Sequence, residues 1–243
     1  MKFVHRYVKL LAVVPAAVLL AHCASDLDQR IEETQFLLDQ GKYAEAEAKI
    51  RPAVVSNPTD TEANFLLATA LLGQGILGNN ATYLGLISSI EEDKAANKSE
   101  FSTFTRIAPA TEAGISKIEE ARDVLIPLSA SLNVADPHFK DVYLQLYVAR
   151  LFEIAGAVTR IGAITDTSTC HADALTAPQA ERFQDNLNNV NSDGENAGLP
   201  TDFALIDRID TIGSALTTAV NAQGGDLLMG IEAFFKASFP GQC

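Results

Sequence analysis

Few residues in this chain are equipped to do chemistry. Beyond residue 22 it holds two histidines, His138 and His171, and three cysteines, Cys23, Cys170 and Cys243. His138 follows Pro137 at an expected helix start, with no cysteine and no pair of acids at ligand spacing beside it. Cys170, His171 and Asp173 lie together, but three neighbouring ligand types make a poor tetrahedron without a further group. A disulfide cysteine next to a solvated histidine is the simpler reading. Asn189, Asn191, Asp193 and Gly194 imitate the opening of a calcium loop. Asn stands at its first ligand position, and Pro200 occupies the twelfth, where a bidentate Glu is needed, so the stretch reads as a turn. No Gly-rich phosphate loop, Gly-x-Ser-x-Gly or His-Glu-x-x-His occurs. The expectation is therefore no metal, no cofactor, no catalytic residue and no enzyme.

What must position these residues is a chain of 243 residues that is 47% hydrophobic and lacks Trp, enough for a sizeable folded core. Residues 1–22 read separately. Lys2, Arg6 and Lys9 form a basic front, and Leu10–Ala21 is an apolar run too short to span a membrane. Leu20, Ala21 and His22 then lead into Cys23. This resembles a bacterial lipoprotein signal, with His22 where the pattern prefers a small residue. The resemblance implies cleavage after residue 22, lipid on Cys23 and, because Ala24 follows and not Asp, an outer-membrane protein facing the periplasm. The polar run Ser25–Gln29 would hold the body off the surface. In that oxidising compartment the remaining pair, Cys170 and Cys243, is expected to form a disulfide.

Charge excludes one class of partner. The formal net charge is −13, and removing three basic and no acidic residues with the leader makes it −16. Nucleic acid needs a basic footprint, and none is present. Solubility is the ordinary reason for such charge; a basic partner is a weaker one.

Helical periodicity runs through the rest, and no strand-like alternation survives, so the expected class is all-α. Helices are expected over Leu27–Gln40, Tyr43–Ser56 and Thr61–Gln74, with Asn57-Pro58 as a stop and Thr59 or Asp60 as a cap. Gly41 suits the turn after the first, and Tyr43 is expected to fold back onto that first helix. Gly41, Tyr43, Ala46, Ile50, Ala53 and Pro58 have the spacing of the second helix of a tetratricopeptide repeat. Ala63, Leu67, Ala68, Ala70 and Gly75 fit the first helix of the next, with Gly41 and Gly75 34 residues apart. The chain thus resembles the tetratricopeptide family over one complete unit and half of another. Glu45-Ala46, Ile50 and Pro52 recur as Glu120-Ala121, Leu125 and Pro127, with Tyr43 matching Ile118. That recurrence predicts helices over Glu112–Leu132 and Phe139–Ile164, after an insertion at about 79–113. Farther on, the pattern predicts a short polar helix over Pro178–Val190 and a surface loop from Asn188 to Pro200. A helix with Ile206, Ile209, Ile212, Leu216 and Val220 on one face follows, then a break at Gly224-Gly225 and a last helix to Ser238. The organisation expected is a leader (1–22), a repeat region (23–165) and a C-terminal helical segment (166–243) packed on it.

The resemblance implies antiparallel hairpins stacked as a short solenoid, whose inner face comes from the first helix of each pair. Ile31, Gln35, Leu38, Glu62, Phe65, Thr69 and Leu72 fall on that face, as a surface for peptides or other envelope proteins, or alternatively as core. The chain is therefore read as a non-catalytic interaction scaffold. The alternative is a ligand- or lipid-binding accessory of a tripartite transporter, which degenerate repeats in envelope lipoproteins also resemble. For that alternative, the uncharged stretch Asn64–Ile90 would line a pocket for an apolar small ligand.

Overall fold

The computed structural model describes residues 26–77, 111–162, 175–200 and 204–238. These residues form helices α1 (Asp26–Asp39), α2 (Tyr43–Ser56), α3 (Thr61–Leu77), α4 (Glu112–Ser131), α5 (Phe139–Gly162), α6 (Ala177–Ala197), α7 (Ala204–Ala222) and α8 (Leu227–Ser238). No strand occurs among the described residues, and the class is all-α.

Local chemistry sets most of the helix ends. Gly41 takes φ of 70°, a conformation costly for residues with a Cβ, and its N–H and that of Lys42 close back on Leu38 and Leu37. Asp60 caps α3 by accepting from the Ala63 N–H at 2.8 Å. Thr111 does the same for α4 through Gly114. Thr176 and Gln179 form a reciprocal capping box on α6, with Pro178 in its first turn. Gly224 and Gly225 end α7, and Asp226 caps α8 through the Met229 N–H.

Each helix packs on the next in the chain, and α1 also touches α3, α3 touches α5, and α6 touches α8. Ion pairs join α2 to α4 (Glu47–Lys117, Arg51–Glu120) and α4 to α6 (Arg122–Asp185, Asp123–Arg182). Helices α1, α3 and α5 thus make one row, and α2, α4 and α6 a second. Between the rows lies the core, with Ile50, Leu71, Ile118, Leu125, Leu146, Phe152 and Phe183 among its largest fully buried side chains. Ala46 and Ala121, and Ile50 and Leu125, which the recurring pattern equates, are all fully buried, while Pro52 and Pro127 lie exposed within their helices.

Helix α3 lies against α2 and α4 and also touches α1 and α5, which is why it carries no charge after Glu62. Within the uncharged stretch residues 66–68, residues 70–72 and Ile76 are core, while Asn64, Phe65, Thr69 and Gln74 are half-buried; residues 78–90 lie outside the described residues. One expectation about α3 is corrected: the helix expected to end at Gln74 continues to Leu77, so Gly75 lies inside it and is not a turn glycine like Gly41. A Cβ at Gly75 would stand 2.4 Å from Ile118 Cγ1 and 2.8 Å from the Gly114 carbonyl oxygen. Its role is to let α4 approach. The Tyr43 ring covers Gly73 of α3. Tyr43 and Ile118, matched in register by sequence, therefore sit on neighbouring glycines of one helix.

A further correction concerns Asn188–Pro200, expected as a loop. It is helical to Ala197, and Gly198 (φ 82°) then ends α6. One side of this stretch packs on the neighbouring helix, where Asp193 pairs with Arg150 of α5 and Gly194 lies under the Tyr147 ring, while Asn188, Ser192, Glu195 and Asn196 are exposed. Asn189, Asn191, Asp193 and Gly194 consequently form neither a turn nor a calcium loop.

Candidate functional site

The row α1–α3–α5 brings together four of the seven residues expected on the first-helix face. Gln35 of α1 donates through Nε2 to Glu62 Oε1 of α3 at 2.9 Å. The other carboxylate oxygen of Glu62 lies 3.0 Å from Nε2 of His138, just before α5. One carboxylate thus ties three consecutive members of the row. The His138 ring rests against Phe65, with centroids 5.6 Å apart and planes tilted by 44°. One turn on, Thr69 donates to the Phe65 carbonyl and accepts from Gln145 Nε2 of α5 at 2.7 Å. Gln35 is exposed and Glu62, Phe65, Thr69, His138 and Gln145 are half-buried, while the rest of α3 and α5 nearby turns inward.

The remaining three expected residues are placed differently. Leu72 is only 7% exposed and belongs to the core, because its position on α3 turns toward the packed neighbours. Ile31 and Leu38 are half-buried and lean on that core. His138 and Gln145 join the surface without having been expected there. His138 lies 76 positions after Glu62, a separation at which no spacing rule operates. Cys23, Cys170, Cys243, His171 and Asp173 lie outside the described residues.

A second polar assembly joins α4 and α6 of the other row to α5. Arg150 donates from Nε to Asp193 Oδ2 at 2.6 Å, and from Nη1 to Asp185 Oδ2 at 2.7 Å and Asn186 Oδ1 at 3.0 Å. Arg122 of α4 shares Asp185. Asn186 donates in turn to Oε2 of Glu153, which lies 3.8 Å from Arg122 Nε. Burial holds the Asp193 carboxyl above its usual range despite Arg150. For Asp185 burial pushes the same way, but the two arginines outweigh it and the carboxyl sits low. Burial pushes the Glu153 carboxyl up; the Asn186 amide and the Arg122 and Arg182 charges oppose this without cancelling it, and the Glu119 charge adds to the rise.

Glu153 forms part of the lining of a narrow crevice of only about 10 Å³, no more than the room of a single water, with Ala157, Phe183, Arg160, Arg182, Gln179 and Glu119. Its Oε1 is buried without a hydrogen-bond partner. The two arginines have partners outside it: Arg160 bonds Glu112, and Arg182 bonds Asp123 through Nη1 and Nη2 at 3.1 and 2.9 Å. Among the described residues no group of three or more His, Cys, Asp or Glu is placed to hold a metal ion, and no helix is long and apolar enough to cross a membrane.

Comparison with protein-family models, with curated proteins and with solved structures gives no match for this chain.

Proposed function

We propose that the protein is a non-catalytic scaffold of the bacterial envelope, anchored in the outer membrane by lipid on Cys23 and facing the periplasm. In this reading α1/α2, α3/α4 and α5/α6 are three tetratricopeptide-like hairpins stacked as a short solenoid. A segment of another envelope protein lies across the row α1–α3–α5. The observation that carries the proposal is the patch Gln35, Glu62, His138, Phe65, Thr69 and Gln145, partly exposed polar groups around one aromatic ring and spread over three helices. Such a patch offers an extended peptide both hydrogen bonds and an apolar anchor. A core alone would have no use for it, since apolar residues pack the remainder of these helices.

Phe65→Ala tests the proposal. The ring is half-buried, so its removal should cost less than the ~3–5 kcal/mol of a fully buried Phe, and helical circular dichroism should persist. Capture of envelope partners in membrane extracts should fall sharply. A stability loss of the full size with unchanged capture would mean that the ring is core and the patch is no binding surface.

A further inference from the structure

The exposed side of α1 carries Glu32, Gln35, Phe36 and Asp39, at the spacing of one helical stripe. Phe36 is 65% exposed, an aromatic ring standing in water between two acids that make no ion pair among the described residues. Gln35 joins this stripe to Glu62 of α3, and Glu62 joins it to His138 just before α5. Asp141, one turn after His138, is likewise exposed and without an ion pair among the described residues. The row thus shows two rings, Phe36 and the half-buried Phe65, flanked by acids on α1 and α5.

The cations of this row are engaged elsewhere. Helix α3 has no Lys or Arg. Arg30 of α1 is held by Asp26 of its own helix. On α5, Lys140 lies along Gly198, Arg150 is buried against α6, and Arg160 is held by Glu112 of α4. The second row is built the other way: Glu47, Glu120, Asp123 and Asp185 each meet a Lys or Arg of a neighbouring helix.

We propose that the row α1–α3–α5 binds a basic, amphipathic segment of another protein. Its Lys or Arg side chains meet Glu32, Asp39 and Asp141, and its apolar side chains meet Phe36 and Phe65. This rests on the binding face proposed above and adds the chemistry of what it takes. Lys and Arg suit it twice over, with a charged head for the carboxylates and an alkyl stem that lies along an aromatic ring. An acidic segment would meet acids with no cation to answer it, and nucleic acid or an anionic lipid surface is repelled in the same way. The acids are spread over separate helices, and among the described residues no group of three or more is placed to hold a metal ion, so a single small cation does not answer them all. A chain bearing several cations does. Neighbouring helix axes lie roughly 10 Å apart, so crossing the row takes roughly six residues of extended chain.

The test is a titration of a labelled synthetic peptide, Lys alternating with Leu and Ala, with the purified full chain, read by fluorescence anisotropy. Copies with Glu or Gln in place of Lys run beside it. Saturable binding of the Lys peptide alone is expected, weakening as salt rises. Phe36→Ala should weaken it about fivefold or more, and Glu32→Gln with Asp141→Gln about two- to twentyfold. These three residues are exposed, so melting should not change. Glu181→Gln with Glu195→Gln, exposed acids of α6 off the row, should leave binding as it is. Equal weakening by that α6 pair would mean attraction to net charge only and overturn the proposal. So would equal binding of the Glu or Gln peptide, or no binding of the Lys peptide. Capture of envelope partners separates this from the binding face itself. If Phe65→Ala abolishes capture and Glu32→Gln with Asp141→Gln does not, the row binds but its partner is not basic.

Discussion

Replacing Gly75 by alanine probes a close crossing of α3 and α4. On an exposed helix this change would help by about 1 kcal/mol, since glycine is the poorer helix former. Here the new methyl group would stand 2.4 Å from Ile118 Cγ1, 3.0 Å from Ile118 Cδ1 and 2.8 Å from the Gly114 carbonyl oxygen. Ordinary carbon contacts lie at about 3.5–4.0 Å. The Ile118 side chain can turn only into fully packed surroundings, and the carbonyl recedes only if α4 moves as a body. Overpacking of this kind costs about 1–3 kcal/mol, and with the fully buried Ile118 and the α4 backbone both in the way it should outweigh the helix gain and leave a net loss of up to about 2 kcal/mol. For a chain of this size that is a fall in Tm of up to about 8 °C. Gly73→Ala is the internal control. The atoms nearest its methyl group would be those of the half-buried Tyr43 ring, at 2.1–2.5 Å, and that ring borders an open depression lined by Gly41, Lys42 and Gln74. The ring can swing aside, so the net effect should be near zero. Thermal melts of both variants beside the parent check the reasoning. Gly75→Ala melting at or above the parent would refute the close crossing of α3 and α4.

Arg150→Met should cost about 3–5 kcal/mol in denaturant titrations, because it leaves Asp193 and Asn186 buried without their partner. Glu47 gives a pH signature. Burial alone would raise its carboxyl, but hydrogen bonds from Lys117, Gln74 and Arg51 prevail and hold it at about 2. A depressed acid contributes stability above its unfolded value of about 4.3, and loses it as pH falls through the folded value. The stability gap between parent and Glu47→Gln should therefore be full at neutral pH, shrink below about pH 4 and close near pH 2, as read from urea midpoints. Intact-mass measurement of membrane-extracted protein should show residues 1–22 absent and lipid on Cys23, and non-reducing peptide mapping should find Cys170 joined to Cys243. An unmodified Cys23 or two free thiols would remove the anchor or the bridge from the proposal.

Much of the helical order was legible because its causes are local. Gly41, Asn57-Pro58, Asp60 and Gly224-Gly225 each stop or start a helix through bonds to residues a few positions away. The apolar stripe through Ala46, Ile50 and Ala53 announces its buried face by period alone. The same local logic failed at α6. A run of Asn, Asp and Gly reads as a solvated loop when its partners are unknown, and Arg150, the partner that makes it helical and buries Asp193, lies 43 positions earlier. The Gly41–Gly75 spacing matched a repeat period, yet the two glycines serve different ends, one a turn and the other a contact with α4.

By itself, then, the sequence determined the helical class, most of the helix boundaries and the absence of recognisable catalytic motifs. Only the tertiary structure decided which polar groups meet. Glu62 gathers Gln35 from 27 positions before it and His138 from 76 after it, and Glu153 faces Glu119 across a crevice walled by three helices. Pairings of this kind depend on how the two rows of helices stack. Stacking is set by the sum of many buried apolar contacts and a few close glycine crossings, and no short stretch of chain encodes that sum.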